Sequence, residues 1–249
     1  MEQSKILLRK IVHSKYLDLF GALLILGVSV AKSFHETIYF NGAIAFGIPI
    51  TDIFSYIKQG AFPLGFLSIV GAVFSLLSTR LVGKQNNWGN IIGVITTVNS
   101  GAIDYLFGNG SAIITYPLTF LITVLAVKNW HQGEKVKELD LRYYIIMAVG
   151  IVAGFALVYF GAYLFGGKTD PAFLMVVSVT FGISIGANIC NALKYQETWL
   201  SWMIYNIVQL AKNAMLMNLA NVVKYIFYMA NAIVTWFDWR LNGDVEKVV

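Results

Sequence analysis

Residues 199–209 read Trp199-Leu200-Ser201-Trp202-Met203-Ile204-Tyr205-Asn206-Ile207-Val208-Gln209. Trp199, Trp202, Asn206 and Gln209 recur at helical spacing, so one side of a helix carries every indole and amide of the stretch. An amide in hydrocarbon is costly without a partner, so this stripe must face a protein interior or a water-filled cavity. It predicts half of a small-molecule pocket inside a bundle of membrane helices.

The rest of the chain supplies that bundle. Of its 249 residues 57% are hydrophobic and 12% charged, with a mean hydropathy of +0.68, the composition of a polytopic membrane protein. Spans are expected at Gly60–Thr79, Trp88–Phe107, Ser111–Val127, Tyr143–Gly167, Pro171–Leu193, Thr198–Met217 and Leu219–Phe237, each near the ~20 residues that cross a bilayer. Residues 1–15 form a basic arm, and the apolar run Leu17–Ala31 is short for a span, so an interfacial helix competes with a crossing. The interrupted segment Thr37–Ile57 reads as a surface or re-entrant piece.

Charge placement decides between the two counts. If the N-terminal run crosses, 13 of the 18 basic residues fall on one side; Lys32, Lys58, Lys168, Lys212 and Lys224 fall on the other. The positive-inside rule then favours eight spans with both termini cytoplasmic. The net charge of +5 is explained by this asymmetry, and nucleic acid is not expected as a partner. The lone Cys190 and the scattered His13, His35 and His131 offer no disulfide or metal cluster. No cofactor is expected, and with no nucleophile–base pair the chain does not read as an enzyme.

Tyr116 precedes Trp130 by the same interval as Tyr225 precedes Trp239, and Trp88 and Trp199 open corresponding helices. The expected fold is an all-α membrane protein, a seven-helix core of two parallel three-helix repeats joined by a linker helix (3+1+3), plus an N-terminal apolar helix. The parts are 1–58 (arm, N-terminal helix, interfacial segment), 59–130 (first repeat), 131–170 (link and linker helix), 171–240 (second repeat) and 241–249 (tail). The mixed-charge stretch Lys128–Arg142 reads as a solvated link.

The span arrangement from Gly60 to Arg240, the run Glu-Thr-Trp-x-x-Trp-x-x-x-Asn at Glu197–Asn206 and the ending Trp239-Arg240 resemble the PnuC family of bacterial nicotinamide riboside transporters. The resemblance implies uptake of the riboside by facilitated diffusion, with a cytoplasmic riboside kinase trapping it as its phosphate. Assembly into a homo-oligomer is compatible with such a bundle.

A pyridinium ring with a carboxamide and a ribose asks for aromatic faces, amides and hydroxyls. The candidate binding residues are Asn206, Trp202, Gln209, Trp199, Asn99, Trp88, Tyr116 and Asn231, with Asn206 the deepest amide of the stripe. Trp202 offers a cation-π face. Trp88 and Trp199 open spans, where an interfacial anchor competes with ligand contact, and Trp130, Trp236 and Trp239 read as interfacial. Tyr205 points away from the Trp202–Asn206 edge. Asp18, Asp104, Glu197 and Asp238 fall at or near span ends, so no carboxylate is placed to carry a coupled ion and a uniporter is expected. The arginines lie outside or at the edges of the spans, so the phosphorylated mononucleotide is not expected to pass. The alternatives are a carrier of thiamine, riboflavin or a sugar, as in the similarly repeated SWEET family, and more distantly a seven-helix retinal protein.

Overall fold

The computed structural model describes residues 2–31, 35–130, 136–242 and 245–246. The basic arm is itself helical: α1 (Glu2–Val12) turns into α2 (Lys15–Ala31), with a bend of 45° between them. The segment read as a surface or re-entrant piece is a hairpin, β1 (His35–Phe40) with β2 (Ala43–Pro49), followed by the short α3 (Ile53–Lys58). Its turn is Asn41-Gly42, both at positive φ (50° and 81°). That dipeptide is the strongest short-range hairpin signal a sequence carries.

Seven long helices follow: α4 (Leu64–Gly83), α5 (Trp88–Leu106), α6 (Ala112–Asn129), α7 (Leu141–Phe165), α8 (Pro171–Ala192), α9 (Thr198–Met215) and α10 (Leu219–Asn242). Local chemistry sets several starts. Asp140 and Asp170 accept the backbone N–H groups of Tyr143 and Phe173, each at 2.9 Å, and Pro171 occupies the first turn of α8. At the start of α4 the Glu36 carboxylate accepts from Phe66 N at 3.1 Å, and a Cβ at Gly65 would come within 2.0 Å of that oxygen.

Helices α4, α5 and α6 pack in sequence order, as do α8, α9 and α10. Contacts of α6 with α8 and of α10 with α4 close these six into a ring, and α7 lies outside it against α8 and α6. The seam between α7 and α8 is glycine on glycine: a Cβ at Gly154 would lie 2.4 Å from the Gly182 backbone.

The surface is apolar and the interior polar. Val149, Val152, Phe160 and Tyr163 of α7 are exposed, whereas Asp104, Asn206, Gln209 and Lys212 are buried. That inversion suits a lipid-facing exterior. Among the described residues, α4, α6, α7 and α8 are long and apolar enough to cross a membrane, and α1 with α2 add a fifth if the bent pair is one span. Helices α5, α9 and α10 match them in length, at 19, 18 and 24 residues, but carry the polar groups that face inward. The chain is a multi-pass, all-α membrane protein.

The polar link is pinned where it is described: β3 (Val136–Lys137) pairs in parallel with β4 (Val245–Glu246), and Lys137 exchanges backbone hydrogen bonds with the 194–196 turn. Its residues 131–135, His131 among them, and residues 32–34 lie outside the described residues.

Candidate substrate-binding site

The six ring helices enclose a cavity with about 190 Å³ open to the centres of water molecules; none of the residues lining it comes from α7. The 199–209 stripe forms one wall. Trp199, Trp202, Asn206 and Gln209 all line the cavity, joined by Tyr116 from α6. Asn206 is 3% exposed, and its amide makes no hydrogen bond to another described residue. Gln209 is less free: it donates to Tyr205 Oη at 2.5 Å and accepts from Asn213 at 3.0 Å.

Tyr205, which helical geometry points away from the Trp202–Asn206 edge, also lines the cavity and meets Trp202 edge to face, centroids 5.1 Å apart. The site therefore wraps farther round α9 than a single stripe. Trp199 belongs to an indole cluster that closes one end, with Trp239 at 5.5 Å and Trp130 beyond it. Trp130 and Trp239 are both buried, contrary to the interfacial placement expected of them. Each has found an acceptor for its N–H inside the protein, which removes the need for a wet interface.

Three predicted residues lie away from the cavity. Trp88 is 64% exposed on the outer surface, as an interfacial anchor would be. Asn99 donates to Leu67 O at 3.3 Å, tying α5 to α4, and borders a smaller cavity instead. Asn231 accepts from Arg80 Nη1 at 2.6 Å. That arginine, expected at a span edge, is 1% exposed and also donates to Asp18 at 2.6 Å and to Val12 O at 2.6 Å. Lys84 pairs with the same aspartate. The cluster docks α1 and α2 onto α4 and α10, reinforced by Arg9 with Asp238 and by Asn242 with Lys5 O.

The opposite end of the cavity carries charge that the sequence reading placed outside the bundle. Lys212 donates to both oxygens of Asp104, at 2.9 and 3.0 Å, and Asn109 donates to Asp104 Oδ2 at 2.6 Å. Lys224 lines the same end, 4.5 Å from the Tyr225 ring centroid and 5.7 Å from that of Tyr228. A signal for Lys212 existed, since it continues the stripe three residues beyond Gln209. Hydroxyls from Thr96, Thr97, Ser100, Thr119 and Ser184 fill the walls between the two ends.

A ring of membrane helices around a central cavity lined by aromatic rings, amides and hydroxyls is the construction of a small-molecule transporter. Residues 65–241 match the family model described as nicotinamide mononucleotide transporter, and the chain belongs to that family, PnuC. It is thus a membrane transporter, which sets the retinal alternative aside. A nicotinamide riboside transporter PnuC from Neisseria mucosa is 24% identical over 195 residues, covering 71% of this chain and 73% of the relative. The crystal structure of the vitamin B3 transporter PnuC superposes with a TM-score of 0.62 at 20% identity, covering 91% of each chain, and shares the fold.

Proposed function

We propose that the protein carries nicotinamide riboside across the membrane by facilitated diffusion with alternating access. One observation carries this: Asn206 presents an amide with no internal partner to the cavity one helical turn below Trp202. A carboxamide on a cationic ring meets both needs at once, pairing with the amide while the ring stacks on the indole. The name of the Neisseria mucosa relative supports the same cargo, and membership of the family supports a nicotinamide-bearing one.

The transporter works without ion coupling. Asp104 is the one carboxylate among the described residues lining the cavity, and its oxygens are engaged by Lys212 and Asn109. A permanently cationic substrate gains about 2.3 kcal/mol per 100 mV from an inside-negative potential, so uptake needs no other drive. A cytoplasmic kinase then retains the riboside as its phosphate.

The helices form two parallel repeats, in 59–130 and 171–240, joined by a linker helix within 131–170. The neighbour pattern of the six ring helices supports this, as do the matched tryptophans described below. Helix α2 is an eighth crossing, and both ends of the chain face the cytoplasm of a bacterial inner membrane. In support, α1 and the C-terminal end of α10 meet through Arg9 and Asp238.

Calorimetry of nicotinamide riboside with the purified wild type and with Asn206→Ala and Trp202→Phe is the direct test. Micromolar or tighter binding, weakened at least tenfold by the amide change, is expected. Binding of thiamine or riboflavin in its place would replace the cargo and keep the architecture.

A further inference from the structure

The two ends of the cavity differ in chemistry. Indoles and the free amide of Asn206 occupy one; Asp104, Lys212 and Lys224 occupy the other. Trp202 and Lys212 are ten residues apart on α9, about 15 Å along the axis. A substrate with a flat cationic ring at one end and a polyhydroxylated sugar at the other has one favourable direction in such a space.

The charged end cannot take the ring. Asp104 would attract a cation, but its two oxygens already accept from Lys212 and Asn109. Lys224, 4% exposed, makes no ion pair or hydrogen bond among the described residues; its neighbours are the faces of Tyr225 and Tyr228. With that carboxylate taken, the lining of this end leaves a pyridinium no free carboxylate to pair with. The N–H donors of a lysine held in a largely desolvated wall without an acceptor call for one from the ligand.

We propose that Lys224 is a specificity-determining residue that binds the sugar oxygens of the substrate and fixes its direction, ribose toward Lys224 and ring toward Trp202. This rests on the function proposed above. It assigns selectivity for the riboside over the bare ring to Lys224, separately from the recognition of the ring by Trp202 and Asn206.

The experiment is calorimetry of two ligands, nicotinamide riboside and 1-methylnicotinamide, a cationic ring without the sugar, on wild type, Lys224→Met and Lys224→Arg. Wild type should prefer the riboside at least tenfold. Lys224→Met should lose most of that preference by weakening the riboside while leaving 1-methylnicotinamide unchanged or tighter, and Lys224→Arg should keep it. If the Met variant does not fold, Lys224→Gln takes its place with the same expected loss. A Lys224→Met protein that keeps the preference, weakens both ligands equally, or binds the riboside more tightly overturns the inference while the proposed cargo stands. A wild type that binds neither ligand overturns the cargo and the inference with it.

Discussion

Trp130 and Trp239 face one another with ring centroids 6.0 Å apart, and each donates its indole N–H across the bundle. Trp130, just after α6, donates to Asn191 O near the end of α8 at 2.7 Å; Trp239, in α10, donates to Gly83 O at the end of α4 at 2.8 Å. Each thus ties the last helix of one triplet to the first helix of the other. Two residues beyond each of those helices the chain turns through a left-handed residue, Gln85 (φ 57°) and Lys194 (φ 62°). The matched bonds brace the indole end of the cavity from both halves.

Removing the Trp239 N–H leaves the buried Gly83 carbonyl without its donor, which costs about 1–3 kcal/mol, whereas Asn191 O keeps the bond from Lys194 N at 3.0 Å when Trp130 is changed. Trp239→Phe is therefore expected to lower the thermal unfolding temperature in detergent by more than Trp130→Phe does. A larger loss for Trp130→Phe would overturn this.

Trp88 and Trp202 provide a contrast within one residue type. Trp88→Ala, on the outer surface, should leave riboside affinity within about twofold, the small effect of a residue remote from the site. Trp202→Leu should weaken it by the loss of a cation-π face, about 0.5–2 kcal/mol. Calorimetry on both variants separates the outer tryptophan from the one lining the cavity.

Arg80 holds the N-terminal helices through Asp18, Val12 O and Asn231. Truncating it leaves Val12 O and Asn231 Oδ1 without their donor, about 1–3 kcal/mol each, while Asp18 keeps Lys84. Arg80→Met should destabilise the protein strongly, and adding Asp18→Leu should deepen the loss, because Lys84 then loses its carboxylate. Thermal unfolding of the single and double variants measures this; a double variant more stable than the single would show that Lys84 does not hold Asp18 once the arginine is gone.

Asp140, at the start of α7, accepts from Tyr143 N and from Tyr195 Oη, and the backbone bond above all holds its carboxyl below the usual carboxylate range. A depressed folded value contributes stability that is fully present above the unfolded pKa of about 3.9 and is lost as pH falls through the folded value. The unfolding temperature of wild type should thus exceed that of Asp140→Asn by a constant margin above about pH 4, and the margin should close in more acidic buffer. The Tyr195 phenol, buried beside that carboxylate, is pushed up to about 12 and stays protonated throughout.

The cavity is lined by one unpaired ammonium and by no arginine among the described residues. A dianionic phosphate would lack a bidentate partner. Lys224 is the donor left to it, so whatever competition the phosphorylated mononucleotide shows against labelled riboside is expected to weaken in Lys224→Met. Unchanged competition in that variant would overturn this.

By itself the sequence determined the bundle and one wall of its cavity. Hydropathy located all seven long helices to within a few residues of their ends, and helical periodicity put Trp199, Trp202, Asn206 and Gln209 along one face, because both signals are local properties of a single helix. Partner choice is not local. Asn99, Asn206 and Asn231 are equivalent as mid-helix amides, yet only Asn206 is left free for the cavity, since Leu67 O takes Asn99 and Arg80 takes Asn231. Counting charges by distance from span ends sent Arg80, Asp104, Lys212 and Lys224 to the water, whereas the fold buries all four. A charge can enter the bundle when another helix brings a counter-charge, an acceptor or an aromatic face to meet it, and those meetings are made only by tertiary packing.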